Sequence, residues 1–202
     1  NSVRGYRDRA FMELMYFYAR RPTEVILLNE EDVNFTEDEE EPDTIKFNIL
    51  KKPEKDTIPL AVSNGDEYNV MRATFELEEE PKKHLKKWLS YKPDQQEVIE
   101  LEGEEEVVSP IFCTSHGRIS YNSVYKMIKK AADRAGIEKN VTPKAMGRHS
   151  RATHLDWAGK APGNIGRDVL LHDPDTDVVG RYVHDRGEDD VRDIMTIEGD
   201  EE

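Results

Sequence analysis

A single cysteine, Cys113, stands in the 202 residues, so the chain forms no intrachain disulfide and has no cysteine-rich zinc site. No apolar run approaches the roughly 20 residues that a membrane-spanning helix needs, and no signal-peptide pattern opens the sequence. A cytoplasmic protein with no membrane partner is the simplest expectation. A glycine-rich phosphate loop is missing, which argues against nucleotide-triphosphate chemistry. No Gly-x-Ser-x-Gly pattern marks a serine nucleophile. Spacings of His and carboxylates match no zinc or calcium signature, so neither a metal nor another cofactor is expected. Positive charge is also in deficit: 29 Lys and Arg stand against 43 Asp and Glu, a net charge of −14. Affinity for phosphate comes from Lys and Arg that release counterions, so at face value this balance counts against nucleic acid.

What is present changes that reading. The acids cluster in "EEDVNFTEDEEEP" (30–42), "ELEGEEE" (100–106) and "EGDEE" (198–202), all loop-like or terminal. The bases concentrate in 4–21, 44–55, 126–134 and 144–151. Segregation of this kind leaves room for a basic groove on an acidic body. The acid excess then reads as a solubility device for a salt-rich, halophilic cytoplasm.

Aliphatic and aromatic clusters recur along the whole chain, which excludes global disorder. Phe11, Leu14, Met15 and Tyr18 follow an i, i+3, i+4, i+7 spacing that predicts a helix over 6–20, stopped by Pro22. "PTE" opens a second helix over 22–29. "DTIKFNIL" (43–50) and "DTIPLAVS" (56–63) read as strands, and the short "KKPEK" between them predicts a hairpin. A third, weaker strand fits 69–77. Helices follow at 81–91, from Asn122 or Ser123 to Ala135 with Gly136 as the stop, from Thr142-Pro143 to about 159, and at 163–171 and 175–184. The expected fold is mainly α with a small antiparallel β-sheet, an α+β domain without an internal linker. The abrupt start at "NSVRGYRDRA", already near a helix, reads as a fragment of a longer protein.

Several polar residues are candidates for chemistry. Arg21 directly precedes a helix N-terminus, and Arg148 lies in the first turns of another helix. Two guanidinium groups on separate helices can fork onto one phosphate and stabilise added charge in a pentacoordinate transition state, although a surface ion pair is the ordinary fate of either. Lys51, Lys52 and Lys55 sit on the predicted hairpin turn. They are either solvated or, beside other cations, able to act as a general acid. His172 follows an apolar helix end and by itself reads as structural, as do His149 and His154. Tyr182, in "VVGRYVHD", keeps basic company that a core tyrosine would not require.

The order of these pieces carries more than any one of them. "ARRPTEVILLNEEDV", a lysine-bearing two-stranded element, "TPKAMGRHSRATHL" and "LLHDPDTDVVGRYVH" succeed one another as in the tyrosine recombinase (phage integrase) family, and "SPIFCTSHGRISYNSVYKMIKKAADRAGI" resembles its middle section. The resemblance runs from about residue 7 to 190 and matches that family's catalytic domain, so residues 1–202 are expected to be one catalytic domain without the N-terminal core-binding domain. It implies Arg21 and Arg148 as the two catalytic arginines and Lys51, with Lys52 the nearest alternative, as the hairpin lysine. It further implies His172 as the later histidine and Tyr182 as the nucleophile. Two features depart from the family pattern. Ala145 stands where a histidine is usual, with Lys144 beside it as a candidate substitute for the phosphate contact, and His172 precedes Tyr182 by one residue more than is common.

The activity so implied is cleavage and rejoining of double-stranded DNA at specific sites through a 3′-phosphotyrosyl intermediate, by a homotetramer on two duplexes. A phenol with an ordinary pKa near 10 explains why Tyr182 would need cations around it. The alternatives are a catalytically silent DNA-binding relative, an acidic protein-interaction module that mimics DNA, and a type IB topoisomerase.

Overall fold

The computed structural model describes residues 2–38, 40–51, 58–62, 66–101 and 104–171; the side chains of 50–70, 100, 101 and 104 are outside that description. Helix α1 (Val3–Phe17) begins before the apolar spacing does, because Ser2 Oγ accepts the Gly5 N–H at 3.2 Å and caps it. It ends before Pro22 through a Schellman closure. Ala19 takes a left-handed φ of 52°, with Ala19 N–H on the Tyr16 carbonyl and Arg20 N–H on the Met15 carbonyl. Helix α2 (Pro22–Ile26) is a short turn, shorter than the predicted 22–29.

Strands β1 (Val33–Asn34), β2 (Thr44–Lys51), β3 (Ile58–Val62) and β4 (Asp66–Glu76) form one antiparallel sheet in the order β1-β2-β4-β3. The predicted hairpin between the first two long strands is corrected here. Lys51 pairs with Asn69 and Ile58 with Val70, so β4 lies between β2 and β3. The strand expected to be the weakest is the central one and, at 11 residues, the longest in the sheet. Its mixed pattern hides this, whereas β2 alternates cleanly: Ile45, Phe47 and Ile49 are buried and Lys46 and Asn48 are not.

Helices α1 and α3 (Glu79–Leu89) pack on each other, and their Phe11, Leu14, Met15, Leu85 and Trp88 share one core with Ile45, Phe47 and Ile49 of β2. Each such side chain contributes about 1.5–3 kcal/mol on burial. Tyr18 ties the end of α1 to the exit of β4, donating to the Glu76 carbonyl and accepting from the Glu78 N–H, both at 2.9 Å. Burial is the main reason its phenol is pushed up to about 12.

The acidic tract at 100–106, read as loop, falls instead in a hairpin of β5 (Glu97–Leu101) and β6 (Glu104–Val108). A second small hairpin joins β7 (Cys113–Thr114) and β8 (Gly117–Arg118). Helix α4 (Tyr121–Arg134) is capped by Ser120 rather than by Asn122 or Ser123, because Ser120 Oγ accepts the Ser123 N–H. It closes, as expected, at Gly136 with φ 68°.

The predicted helix over 142–159 is interrupted. Thr142 Oγ1 accepts the Ala145 N–H, then the chain widens into a π-helical turn, Ala145–His149, before α5 (Ser150–Trp157). Ser150 Oγ donates back to the Ala145 carbonyl at 2.8 Å across that wide turn. The region predicted as a helix over 163–171 is α6 (Pro162–Asn164) followed by another π-helical turn, Ile165–Val169. Ala19, Ala152, Ile165 and Leu170 form a second small core, which fixes this segment against the end of α1. The helix predicted over 175–184 lies outside the described residues. Among the described residues no helix is long and apolar enough to cross a membrane. The architecture is the expected mainly helical one with small antiparallel sheets.

Candidate active site

Arg21 is the residue just before α2, and Pro22 explains its extended backbone (φ −71°, ψ 149°), since a residue preceding proline is pushed out of the helical region. The first anion at this helix start is internal. Glu24 Oε2 accepts the Arg21 backbone N–H and Oε1 accepts Arg21 Nη1, both at 2.8 Å. Glu24 is fully buried while the Arg21 side chain is 41% exposed. The buried carboxylate therefore anchors a guanidinium whose outer part reaches solvent.

Arg148 sits in the π-helical turn, 3% exposed, and Nη2 donates to the Leu170 carbonyl at 2.6 Å. π-helical turns redirect side chains that an α-helix would stack, and they recur at functional sites. Gly147 brings this turn onto the end of α1. A Cβ built there would lie 3.1 Å from the Arg20 carbonyl and 3.2 Å from the Met15 carbonyl, so any side chain would force these backbones apart by a few tenths of an ångström. Two arginine-bearing turns, far apart in sequence, are thereby packed backbone to backbone.

Arg20, which sequence reasoning passed over, lies beneath them with no exposed surface. Burial above all, and then the like charges of Arg148 and Arg21, pull its pKa down to about 10, against the attraction of Glu24. It keeps its charge at neutral pH, so three guanidinium groups gather with one buried carboxylate at this corner.

The remaining predicted residues are placed as follows. Lys51 ends β2 opposite Asn69, and its side chain is outside the description, as are Lys52 and Lys55 entirely. Lys144 is exposed at the entry to the π-helical turn that carries Arg148. His172 and Tyr182 lie outside the described residues, so of the expected set Arg21 and Arg148 are the two whose side chains hold described polar contacts, and both bear on the charge of the buried Arg20 between them. His154 hydrogen-bonds the Tyr16 hydroxyl through Nδ1 at 2.6 Å, and Arg151 lies over the Tyr16 and Phe17 rings at 5.3 and 5.7 Å. These contacts hold α5 on α1.

Glu13, Glu80 and His84 also converge, their ligand-type atoms within 4.8 Å of one another. His84 Nδ1 is 2.7 Å from Glu13 Oε2, a contact between α3 and α1, while Arg9 donates to Glu13 Oε1 within α1.

Sequence reasoning missed Arg20, Glu24 and Gly147. Glu24 stands three residues after Arg21, which is the spacing of a reciprocal helix cap. Gly147 interrupts a helical pattern, a mark of close backbone approach. Nothing in "RR" says which arginine turns inward; that follows from the left-handed turn at Ala19.

Comparison with known proteins identifies the family. The profile of the phage integrase family matches residues 1–188. Tyrosine recombinase XerD of Staphylococcus aureus (strain Mu50) is 31% identical over 157 residues, which are 77% of this chain and 43% of that protein. XerD of Staphylococcus saprophyticus is 32% identical over 155 residues, 76% and 42% of the two chains. This chain thus spans less than half the length of these curated relatives. Among solved structures, XerA recombinase superposes with a TM-score of 0.58 at 19% identity, covering 98% of this chain and 60% of that one. XerH site-specific recombinase, in a post-cleavage complex with its palindromic difH substrate, gives 0.57 at 19% identity, covering 98% and 47%. The family profile covers nearly the whole chain and the relatives agree with it: the chain belongs to the phage integrase family.

Proposed function

We propose that this chain is the catalytic domain of a site-specific DNA recombinase that breaks and rejoins strands through Tyr182. The phenolic oxygen attacks the scissile phosphorus, a 3′-phosphotyrosyl bond forms, and the bond to the 5′-oxygen breaks. Lys51 delivers the proton to that leaving oxygen, and His172 and Lys144 assist proton movement or hold the phosphate. Arg21 and Arg148 bear on the non-bridging oxygens, where negative charge grows in the transition state. One phosphoester replaces another, so the 5′-hydroxyl of a partner strand can reverse the step without an external energy source. The relatives named above are recombinases, and one neighbour was solved on its DNA substrate. By that analogy four protomers would act on two duplexes, with a separate core-binding domain sharing in recognition.

The observation that carries this reading is the seating of the Arg148 turn, through Gly147, on the Arg20 carbonyl beside Arg21. The test is adduct formation on nicked duplex DNA in chelator-containing buffer. The protein should give a denaturant-resistant protein–DNA band, and Tyr182→Phe should give none while still binding DNA. A protein that binds but forms no adduct in either version is instead a silent relative, the reading that Ala145 favours. Binding controlled by exposed acids rather than by Arg21 and Arg148 would identify a protein-interaction module.

A further inference from the structure

Arg20 is the largest fully buried side chain among the described residues. It reaches the interior because the left-handed turn at Ala19 swings it under the inner strands β2 and β4, where its guanidinium lies 5.1 Å from the Phe75 ring centre and 5.9 Å from that of Phe47. Nε donates to the Tyr18 carbonyl at the end of α1, and Nη2 donates to the Val169 carbonyl at the end of the second π-helical turn. Nη1 is buried with no hydrogen-bond acceptor among the described residues. Burying a charged group this way costs several kcal/mol unless the fold compensates it, and an apolar side chain would fill the same space more cheaply.

The carbonyls it and its neighbour hold are adjacent: Arg20 takes Val169 and Arg148 takes Leu170. Leu171 follows in a left-handed conformation, φ 53°, and His172 is the next residue. Two guanidinium groups from the arginine corner thus grip the two peptide units from which the chain departs toward His172 and Tyr182. Ala19 packing on Ile165 and Leu170 backs the same joint.

We infer that Arg20 is a positioning residue for strand cleavage, whose buried guanidinium fixes the Val169 peptide to the end of α1 and so sets the point from which the chain continues past Leu171. The inference rests on the recombinase reading above. It requires that loss of the Val169 tether slow the chemical step more than it weakens DNA binding, since Arg20 itself is too deep to touch DNA. A misplacement of about 1 Å costs on the order of 10²-fold in rate.

The test compares the unaltered protein with Arg20→Met, which keeps an unbranched apolar side chain in the pocket but loses both carbonyl bonds, and with Arg20→Lys, which restores one charged donor. Three quantities are read: thermal midpoint, affinity for intact duplex, and single-turnover adduct rate on nicked duplex at saturating protein. The expected result is folded Arg20→Met with affinity within about threefold and an adduct rate lower by ~10–100-fold, and Arg20→Lys in between. Wild-type rates in either folded variant overturn the inference, as does a rate loss no larger than the affinity loss. Should Arg20→Met not fold, Arg20→Lys alone decides by the same criterion. If neither folds, Arg20 serves stability and the inference fails. An unaltered protein that makes no adduct sinks the recombinase reading itself, which separates the two failures.

Discussion

The Glu24 carboxylate spends both oxygens on Arg21, one on its backbone N–H and one on its guanidinium. Replacing it with glutamine leaves the shape but removes the charge, so Arg21 loses a charge-assisted partner. Glu24→Gln should lower stability by about 1–3 kcal/mol. It should also slow adduct formation by about tenfold or more, measured against a denaturation curve of the same sample. His154 offers a pH-dependent check. Burial, with Arg151 adding to it, holds its imidazole below the ordinary value. A folded-state pKa below the unfolded one makes its contribution full above the unfolded value, about 6.5, and lost as pH falls through that value toward the folded one. Only part of the residue is covered, so the effect is small. His154→Gln should slightly flatten the acid-side fall in thermal midpoint between about pH 7 and about pH 5. Arg21 and Arg148 were legible as residues because their flanking helix signals are local. Arg20 was not, since its inward path depends on a backbone turn that alanine rarely adopts.

Between the residues and the whole lies the joint of the first π-helical turn with the end of α1. Gly147→Ala would push a methyl against the Met15 and Arg20 carbonyls at 3.2 and 3.1 Å and the Met15 Cε at 3.0 Å. The methionine tip can move, but the two carbonyls belong to the helix closure and cannot yield cheaply. The variant should lose about 1–3 kcal/mol in a urea titration and lose adduct formation more steeply than Gly163→Ala, where nothing lies within 4 Å of the added carbon. Elements with one strong period were readable in advance: α1, β2 and α3 all occur where the apolar spacing put them. β4 was misjudged because a strand paired on both edges is recognised by its neighbours, not by its own residues. The acidic hairpin β5–β6 was missed because "ELEGEEE" reads as solvated coil, although Val98 and Val107 face each other across it. The π-helical turns have no sequence period of their own.

At the scale of the molecule, a net charge of −14 must coexist, under the proposed function, with a partner that is itself an anion. We propose that the acid excess suits a concentrated-salt setting, in which screening relieves self-repulsion. The thermal midpoint should then rise between about 0.1 and about 2 M KCl, while a flat or falling curve would remove the salt-adaptation argument. DNA affinity should still fall with rising salt, and Arg21→Ala should lower the log–log slope by about 1. The fold class was legible in the sequence, and the order of the motifs led to the expectation that Arg21 and Arg148 share one site. Their manner of meeting, through a glycine and a buried arginine, needed the three-dimensional packing. The most direct measurement is to trap the protein on nicked duplex DNA, digest the adduct and map the DNA-linked peptide by mass spectrometry. The account predicts a single linkage, at Tyr182, to a DNA 3′-phosphate; linkage at another residue, or to a 5′-phosphate, would contradict it.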